Sequence, residues 1–397
     1  MKIIFKFVFL SGLFLLPLVF WPRAKVPYEI PKVWFFQRWV ELLGVLGMLG
    51  MLGVVGKMRE MGENGERKRI FLVVLVILFV LIASLSSLLG VDFEKSFWGN
   101  YYRGDGLLTL FYLVAFFSFL NLFWEESWKI PVAMALSLGC FGTSLWTLFL
   151  GFRFHILKDA SVYRFGNAIG ATFGQPNFLA GYLLVCLPFV AFLIGIAKGK
   201  KKKLFWWMVF VFEIGAIVLT LSRAGILGIF LFGISWFLLK RRKFLGILGV
   251  LGMLGVLGLV FLFTAKNGFM QEGRERIFTK GILAFSKRPI FGWGWANFDY
   301  AFKSVKWPIM FNQDVYVDKA HSNLLEILVT TGIVGFLIYA TIILMTTKIL
   351  YKRAEKGEWE RALLLVFLLF LFHSQTNVIS IAEELIFWMI LGIAATS

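Results

Sequence analysis

In a chain this apolar, side chains able to do chemistry are few, and many of them gather in a polar stretch of roughly sixty residues from Thr264 to Ser322. The stretch ends in Lys319-Ala320-His321-Ser322-Asn323, immediately before a long apolar run. Ser322 or Asn323 can cap the helix that follows, and Glu326 falls in its first turn, so His321 sits beside a helix N-terminus. An imidazole with an ordinary pKa of about 6.5 suits a general base near neutrality; a polar residue at a water boundary is the plainer role. Arg223, in Leu221-Ser222-Arg223-Ala224-Gly225, lies where one apolar run ends and the next begins. A guanidinium at a bilayer edge is costly unless partnered, and its fork of five donors matches phosphate. Snorkelling to lipid headgroups, or pairing with Glu213 or Glu41, is the structural alternative.

The segment from Glu272 to Pro289 places Ile277, Phe278, Ile282 and Phe285 among basic residues, the pattern of an amphipathic helix lying on a membrane surface. Arg274 and Arg288 in it suit either a ligand or a lipid surface. Arg103, in Tyr101-Tyr102-Arg103-Gly104-Asp105-Gly106, and Arg164, ahead of Thr172-Phe173-Gly174-Gln175-Pro176-Asn177, are further outward candidates, with Asn323 and Glu326 as possible substrate contacts. No Walker A sequence, His-Glu-x-x-His, Cys-x-x-Cys or Asp-x-Asp is present. A diphosphate handled by this chain would therefore be held by arginines, without a metal or other cofactor.

The elements that position these residues follow from composition. Hydrophobic residues make up 59% of the chain and aromatic residues 18%, far from a soluble domain. Apolar runs of about twenty residues cross a bilayer as helices, and the alternation of an outer-membrane barrel is missing. The expected fold is an all-α polytopic bundle of about twelve spans, near 3–21, 34–56, 70–90, 107–124, 130–150, 178–197, 204–221, 224–239, 244–263, 323–347, 361–373 and 385–396. Residues 1–263 would carry nine spans, 264–322 a large extracytoplasmic loop containing the amphipathic helix, and 323–397 three more. Met1 to Trp21 lacks a small-residue cleavage site and reads as a retained first helix.

The net charge of +18 is concentrated in short clusters beside the apolar runs: Arg67-Lys68-Arg69, Lys200 to Lys203, Lys240 to Lys243 and Lys352-Arg353. Such clusters mark cytoplasmic loops and argue against nucleic-acid binding. The large loop opposes that bias, with nine Lys/Arg against five Asp/Glu on the expected outer side. His155, His321 and His373 are all expected on that side. Cys140 and Cys186 fall inside apolar runs and imply neither a disulfide nor a metal site.

Five pieces in order, Phe97-Trp98-Gly99-Asn100-Tyr101-Tyr102-Arg103-Gly104, Thr172 to Asn177, Ser222-Arg223-Ala224-Gly225, Gly273-Arg274 with Arg288-Pro289 and Gly292-Trp293-Gly294, and Ala320 to Gly335, resemble the O-antigen ligase and polymerase superfamily of bacterial polytopic glycosyltransferases. The resemblance implies transfer of a glycan from an undecaprenyl-diphosphate carrier to an acceptor hydroxyl, on the outer face of the plasma (inner) membrane. It assigns His321 to the acceptor hydroxyl and Arg223, Arg274 and, on a looser match, Arg288 to the diphosphate. The acceptor could be a lipid A core-like glycolipid, another carrier-linked glycan or a protein hydroxyl; the ligase-like reading fits the long loop best. No facing carboxylate pair is evident, which favours single displacement with inversion. A secondary transporter or flippase also suits twelve helices. Transporters place ionisable groups near the midplane, whereas here Glu213 is the main deep charge and the arginines gather at the outer edge.

Overall fold

The computed structural model describes residues 2–51, 63–240, 274–306 and 316–396. The expected ninth span at 244–263 lies outside the described residues, as do 264–273 and 307–315 of the large loop. The described residues form fourteen α-helices and no strand. In chain order these are α1 (Lys2–Leu15), α2 (Glu29–Met51), α3 (Glu63–Leu88), α4 (Phe93–Trp98), α5 (Leu107–Phe123), α6 (Lys129–His155), α7 (Pro176–Ile196), α8 (Lys200–Leu219) and α9 (Arg223–Lys240). From residue 274 onward come α10 (Arg274–Lys287), α11 (Phe298–Ser304), α12 (Asn323–Ala354), α13 (Glu358–Ser374) and α14 (Ile381–Ala395). By length and composition, Ile70–Leu88, Glu126–His155, Pro176–Ile196 and Asn323–Ala354 suffice to cross a bilayer. Helix is the expected solution because it satisfies every backbone donor and acceptor within one apolar segment.

Helix α7 is the axis of the bundle. It is buried along nearly its whole length and packs against α6, α8, α9 and α13. Pro176 stands in its first turn, where the missing N–H costs nothing. Around it, α5 packs on α14 and α3 on α12. Aromatic rings fill the seam between α1, α2 and α5, with Phe9 stacked on Phe116 at 5.6 Å and Trp39 at 5.4 Å from Phe116.

Helix α12 is broken near its start. Gly332 adopts φ 68° and ψ −171°, and the segment from Pro289 to Gly294 docks against the break. Trp293 and Gly294 donate to the carbonyls of Val329 and Thr330 at 3.0 and 2.9 Å, and Ile333 donates to Pro289 at 2.8 Å. A Cβ on Gly332 would lie 2.1 Å from the Ile290 carbonyl oxygen, so the close approach requires glycine as much as the positive φ does. The expected amphipathic helix is α10, with one adjustment: Ile277 and Ala284 are buried against the protein, whereas Ile282 is 57% exposed.

The two ends of the bundle differ in charge. At one end α12 finishes in Lys352 and Arg353, with Arg353 donating to the carbonyls of Ile393 and Ala394 at the close of α14. Lys129, opening α6, pairs there with Glu360 of α13, and the run Lys200 to Lys203 follows the last turn of α7. The opposite end, where α12, α14, α2 and α5 begin, holds the cavity described next.

Candidate active site

A cavity of about 100 Å³ opens where the N-termini of α2, α5, α12 and α14 converge, lined by Glu29, Gly106, His321, Asn323, Glu326, Ile381 and Glu384 among others. Four helix starts bring their unpaired N–H groups and positive dipole ends to one place, an environment favouring anions. Glu29, Glu326 and Glu384 each sit in a first turn, where a carboxylate complements the same dipole.

His321 is presented by a strained and tightly tied stretch of irregular chain. Its φ is 54°, a left-handed conformation uncommon for a residue with a Cβ. On one side, the Ala320 N–H donates to Glu326 Oε2 at 2.7 Å, and Lys319 Nζ bridges Asp105 Oδ2 at 2.5 Å and Glu326 Oε1 at 3.3 Å. On the other, Ser322 Oγ donates to Gln375 Oε1 at 2.9 Å while accepting from Leu325 N at 3.4 Å, so Ser322 is the N-cap. Asp105 is itself held by the Asn100 N–H at 2.9 Å.

Electrostatics follow from this crowding. Burial, with the positive charge of Arg274 next in weight, pushes the His321 imidazole down to about 4, so it is neutral across the physiological range. Arg274 is itself lowered by burial and by Arg223. Burial works against the Asp105 and Asp318 carboxylates, but Lys319 and Arg103 respectively outweigh it and hold both below the usual range.

The arginines sort by what they already touch. Arg103 lines the cavity but forks onto Asp318, Nε at 2.6 Å and Nη2 at 3.4 Å, and its guanidinium lies 5.4 Å from the Phe178 ring. Arg164 donates to the Gly166 carbonyl and covers Phe154 at 4.1 Å, away from the cavity. Arg288 is exposed, donating to the Leu89 carbonyl at 3.2 Å and stacking on Trp293 at 5.0 Å. Arg274 donates at 3.2 Å to Oδ1 of Asn377, a cavity-lining residue, and has no carboxylate within ion-pair distance among the described residues. Arg223, exposed at the start of α9, likewise has none among them, and the turn presenting it carries Leu221 at φ 50° and a Ser222 cap to Gly225 N at 3.3 Å.

The fold thus brings His321, Arg103, Asn323 and Glu326 into one cavity, with Arg274 against its wall and Arg223 close enough to act on Arg274. Arg164 and Arg288 stand elsewhere. His155 is exposed at the end of α6, and His373, in the last turn of α13 beside the cavity-lining Ser374, is fully buried against Glu383 at 2.9 Å. Lys319, Asp105 and Gln375, which fix the histidine, were not singled out from the sequence. Among the described residues no cluster of His, Cys, Asp and Glu has the makings of a metal site.

No curated protein matches the chain. Residues 208–340, roughly a third of the chain and a stretch containing Arg223, Arg274, Arg288, His321, Asn323 and Glu326, match the family model described as O-antigen ligase, and this match supports the O-antigen ligase superfamily as the family of the chain.

Proposed function

We propose that the chain transfers a preassembled glycan from an undecaprenyl-diphosphate carrier to a hydroxyl of a lipid A core-like glycolipid, on the outer face of the bacterial plasma membrane. The observation that carries this reading is the grouping of a neutral, strained His321 with Arg274 and Arg223, two cations that no described carboxylate neutralises. Arg103 and Lys319 are already paired, so the free positive charge belongs to the other two. The basic runs at the far end of the bundle support an outward cavity, because such runs remain cytoplasmic.

In the reaction the acceptor oxygen attacks the anomeric carbon as the bond from that carbon to the diphosphate oxygen breaks. The acceptor proton passes to His321, and the charge growing on the departing lipid diphosphate is met by Arg223, Arg274 and the helix starts around the cavity. One displacement inverts the anomeric configuration. With its pKa near 4 the imidazole is a weak base. Arrival of the anionic diphosphate offsets the field of Arg274, so donor binding strengthens the base just when it is needed. Holding both lipids in one cleft makes the step effectively unimolecular.

The test is to incubate purified protein with a carrier-linked glycan and candidate acceptors, with and without chelator. A new glycosidic bond of inverted configuration, formed at the same rate with chelator, is the expected result. Movement of donor across vesicles without transfer contradicts the proposal. A carrier-linked glycan or a protein as the preferred acceptor would keep the chemistry and change the substrate to that of a polymerase or oligosaccharyltransferase.

A further inference from the structure

Behind the reaction cavity, on the other side of the turn from Gly99 to Gly106, lies a second depression of about 390 Å³, lined by Asp92, Glu94, Lys95, Trp98, Asn100, Tyr101, Tyr102 and Tyr316. Its volume falls within the range of ligand sites, about 300–1,000 Å³. Four of its aromatic rings are substantially open: Trp98 60%, Tyr101 65%, Tyr102 59% and Tyr316 49% exposed.

The turn carries Tyr101 and Tyr102, directly after Trp98 at the end of α4, and is held by hydrogen bonds. Gly99 donates to the Lys95 carbonyl at 2.7 Å, Arg103 and Gly104 donate to the Asn100 carbonyl at 2.9 and 2.8 Å, and Asn100 Oδ1 accepts from the Tyr102 N–H at 3.0 Å. Asn100 Nδ2 donates to the Tyr316 hydroxyl at 3.0 Å, fixing the fourth ring. The same two strands of chain face both ways. Tyr102 adjoins Arg103 of the reaction cavity, and Tyr316 shortly precedes Lys319 and His321, which line it.

The lining chemistry narrows the ligand. Lys95 is already bound to Asp299, Glu94 is exposed and Asp92 accepts from Tyr300 at 2.9 Å, so no described lining residue offers a free cation to a phosphate or an anionic headgroup, and the nearby Lys303 is drawn over the Tyr316 ring at 5.2 Å. Flat rings with polar tips, together with an amide and a carboxylate, match pyranose rings, which offer C–H faces and hydroxyl edges. We propose that this depression binds an oligosaccharide segment of a substrate, several sugars away from the bond being formed. The proposal rests on the glycan-transfer reading given above and extends it to recognition of glycan length.

The sources of such a segment are the donor and the acceptor glycan, and the experiment separates them. Donors carrying the full glycan or only its reducing-end disaccharide, and acceptors trimmed likewise, are compared with wild type, Trp98→Ala/Tyr101→Ala and the ring-preserving Trp98→Phe/Tyr101→Phe. The alanine pair should lose on the order of tenfold in kcat/KM with the long form of one substrate and nothing with its trimmed form, with the phenylalanine pair largely restored. Whichever substrate shows the length effect is the occupant. Equal losses for long and trimmed forms, as from rings that only anchor the protein in lipid, or no loss with either, would overturn the proposal. Saturation-transfer NMR of the solubilised protein with the delipidated oligosaccharide gives a readout independent of turnover. Signal in wild type that disappears in the alanine pair supports the site even if transfer fails, and no signal in wild type counts against it.

Discussion

His321 is useful because of what surrounds it, and its surroundings make measurable demands. In the folded protein its pKa lies near 4, against about 6.5 when unfolded, so between those values the folded state binds fewer protons than the unfolded one. Its contribution to stability is therefore complete above about pH 6.5 and is lost as pH falls toward 4. Activity should follow the same group: the acid limb of kcat/KM for the donor is expected well below 6.5, and that of kcat, reporting the donor-bound state, at higher pH. A limb of kcat/KM at 6.5 that vanishes in His321→Gln would contradict the crowded-cation picture. Lys319→Met should leave Asp105 and Glu326 uncompensated, lowering stability by about 3 kcal/mol in detergent unfolding and slowing turnover by displacing His321. A sequence can show that His321, Arg223 and Arg274 are titratable groups at apolar boundaries. It cannot show that Arg103 is taken up by Asp318, 215 residues away, while Arg274 meets no described carboxylate. Pairing over such separations is decided by packing alone.

Among the elements, the break in α12 has the greatest consequence for the site. Apolar residues run on either side of Gly332, so periodicity gives one uninterrupted span from 323, and only the docking of Pro289 to Gly294 explains why the helix must open there. Gly332→Ala puts a methyl group against the Ile290 carbonyl at a left-handed φ. It should reduce the yield of folded protein and abolish most transfer, whereas Gly233→Ala, in α9 with nothing within 4 Å of a Cβ, should be neutral. Wild-type yield and activity in Gly332→Ala would mean that the loop does not dock as described. Helix starts were easier to read: Ser322, one of two expected caps, does cap α12, and α7 begins at Pro176, two residues before the expected start at 178. The meeting of four starts at one cavity was not legible, because it depends on which helices are neighbours.

For the whole molecule, apolar runs were sufficient to anticipate the all-helical architecture of the described residues, and each expected span among them falls on a helix. The short helices α4 and α11 were missed, since six or seven residues within polar connections carry little periodicity. An outward-facing cavity is part of the proposed function, and the chain offers a clean test of it because Cys140 and Cys186 are both buried. A cysteine at Leu157, 61% exposed near the end of α6, should react with an impermeant maleimide in intact cells. One at Lys201 should react only after permeabilisation. The opposite pattern would turn the cavity toward the cytosol.

The claim on which these readings depend is that one cavity divides the work, with arginines holding a diphosphate and an imidazole receiving the acceptor proton. The most direct measurement is donor affinity and single-turnover transfer in parallel for wild type, His321→Ala and Arg274→Ala. His321→Ala should bind donor as tightly as wild type and transfer it on the order of 100- to 10,000-fold more slowly, while Arg274→Ala should lose donor affinity as well as rate. Transfer by His321→Ala at the wild-type rate, or unchanged donor affinity and rate in Arg274→Ala, would contradict it.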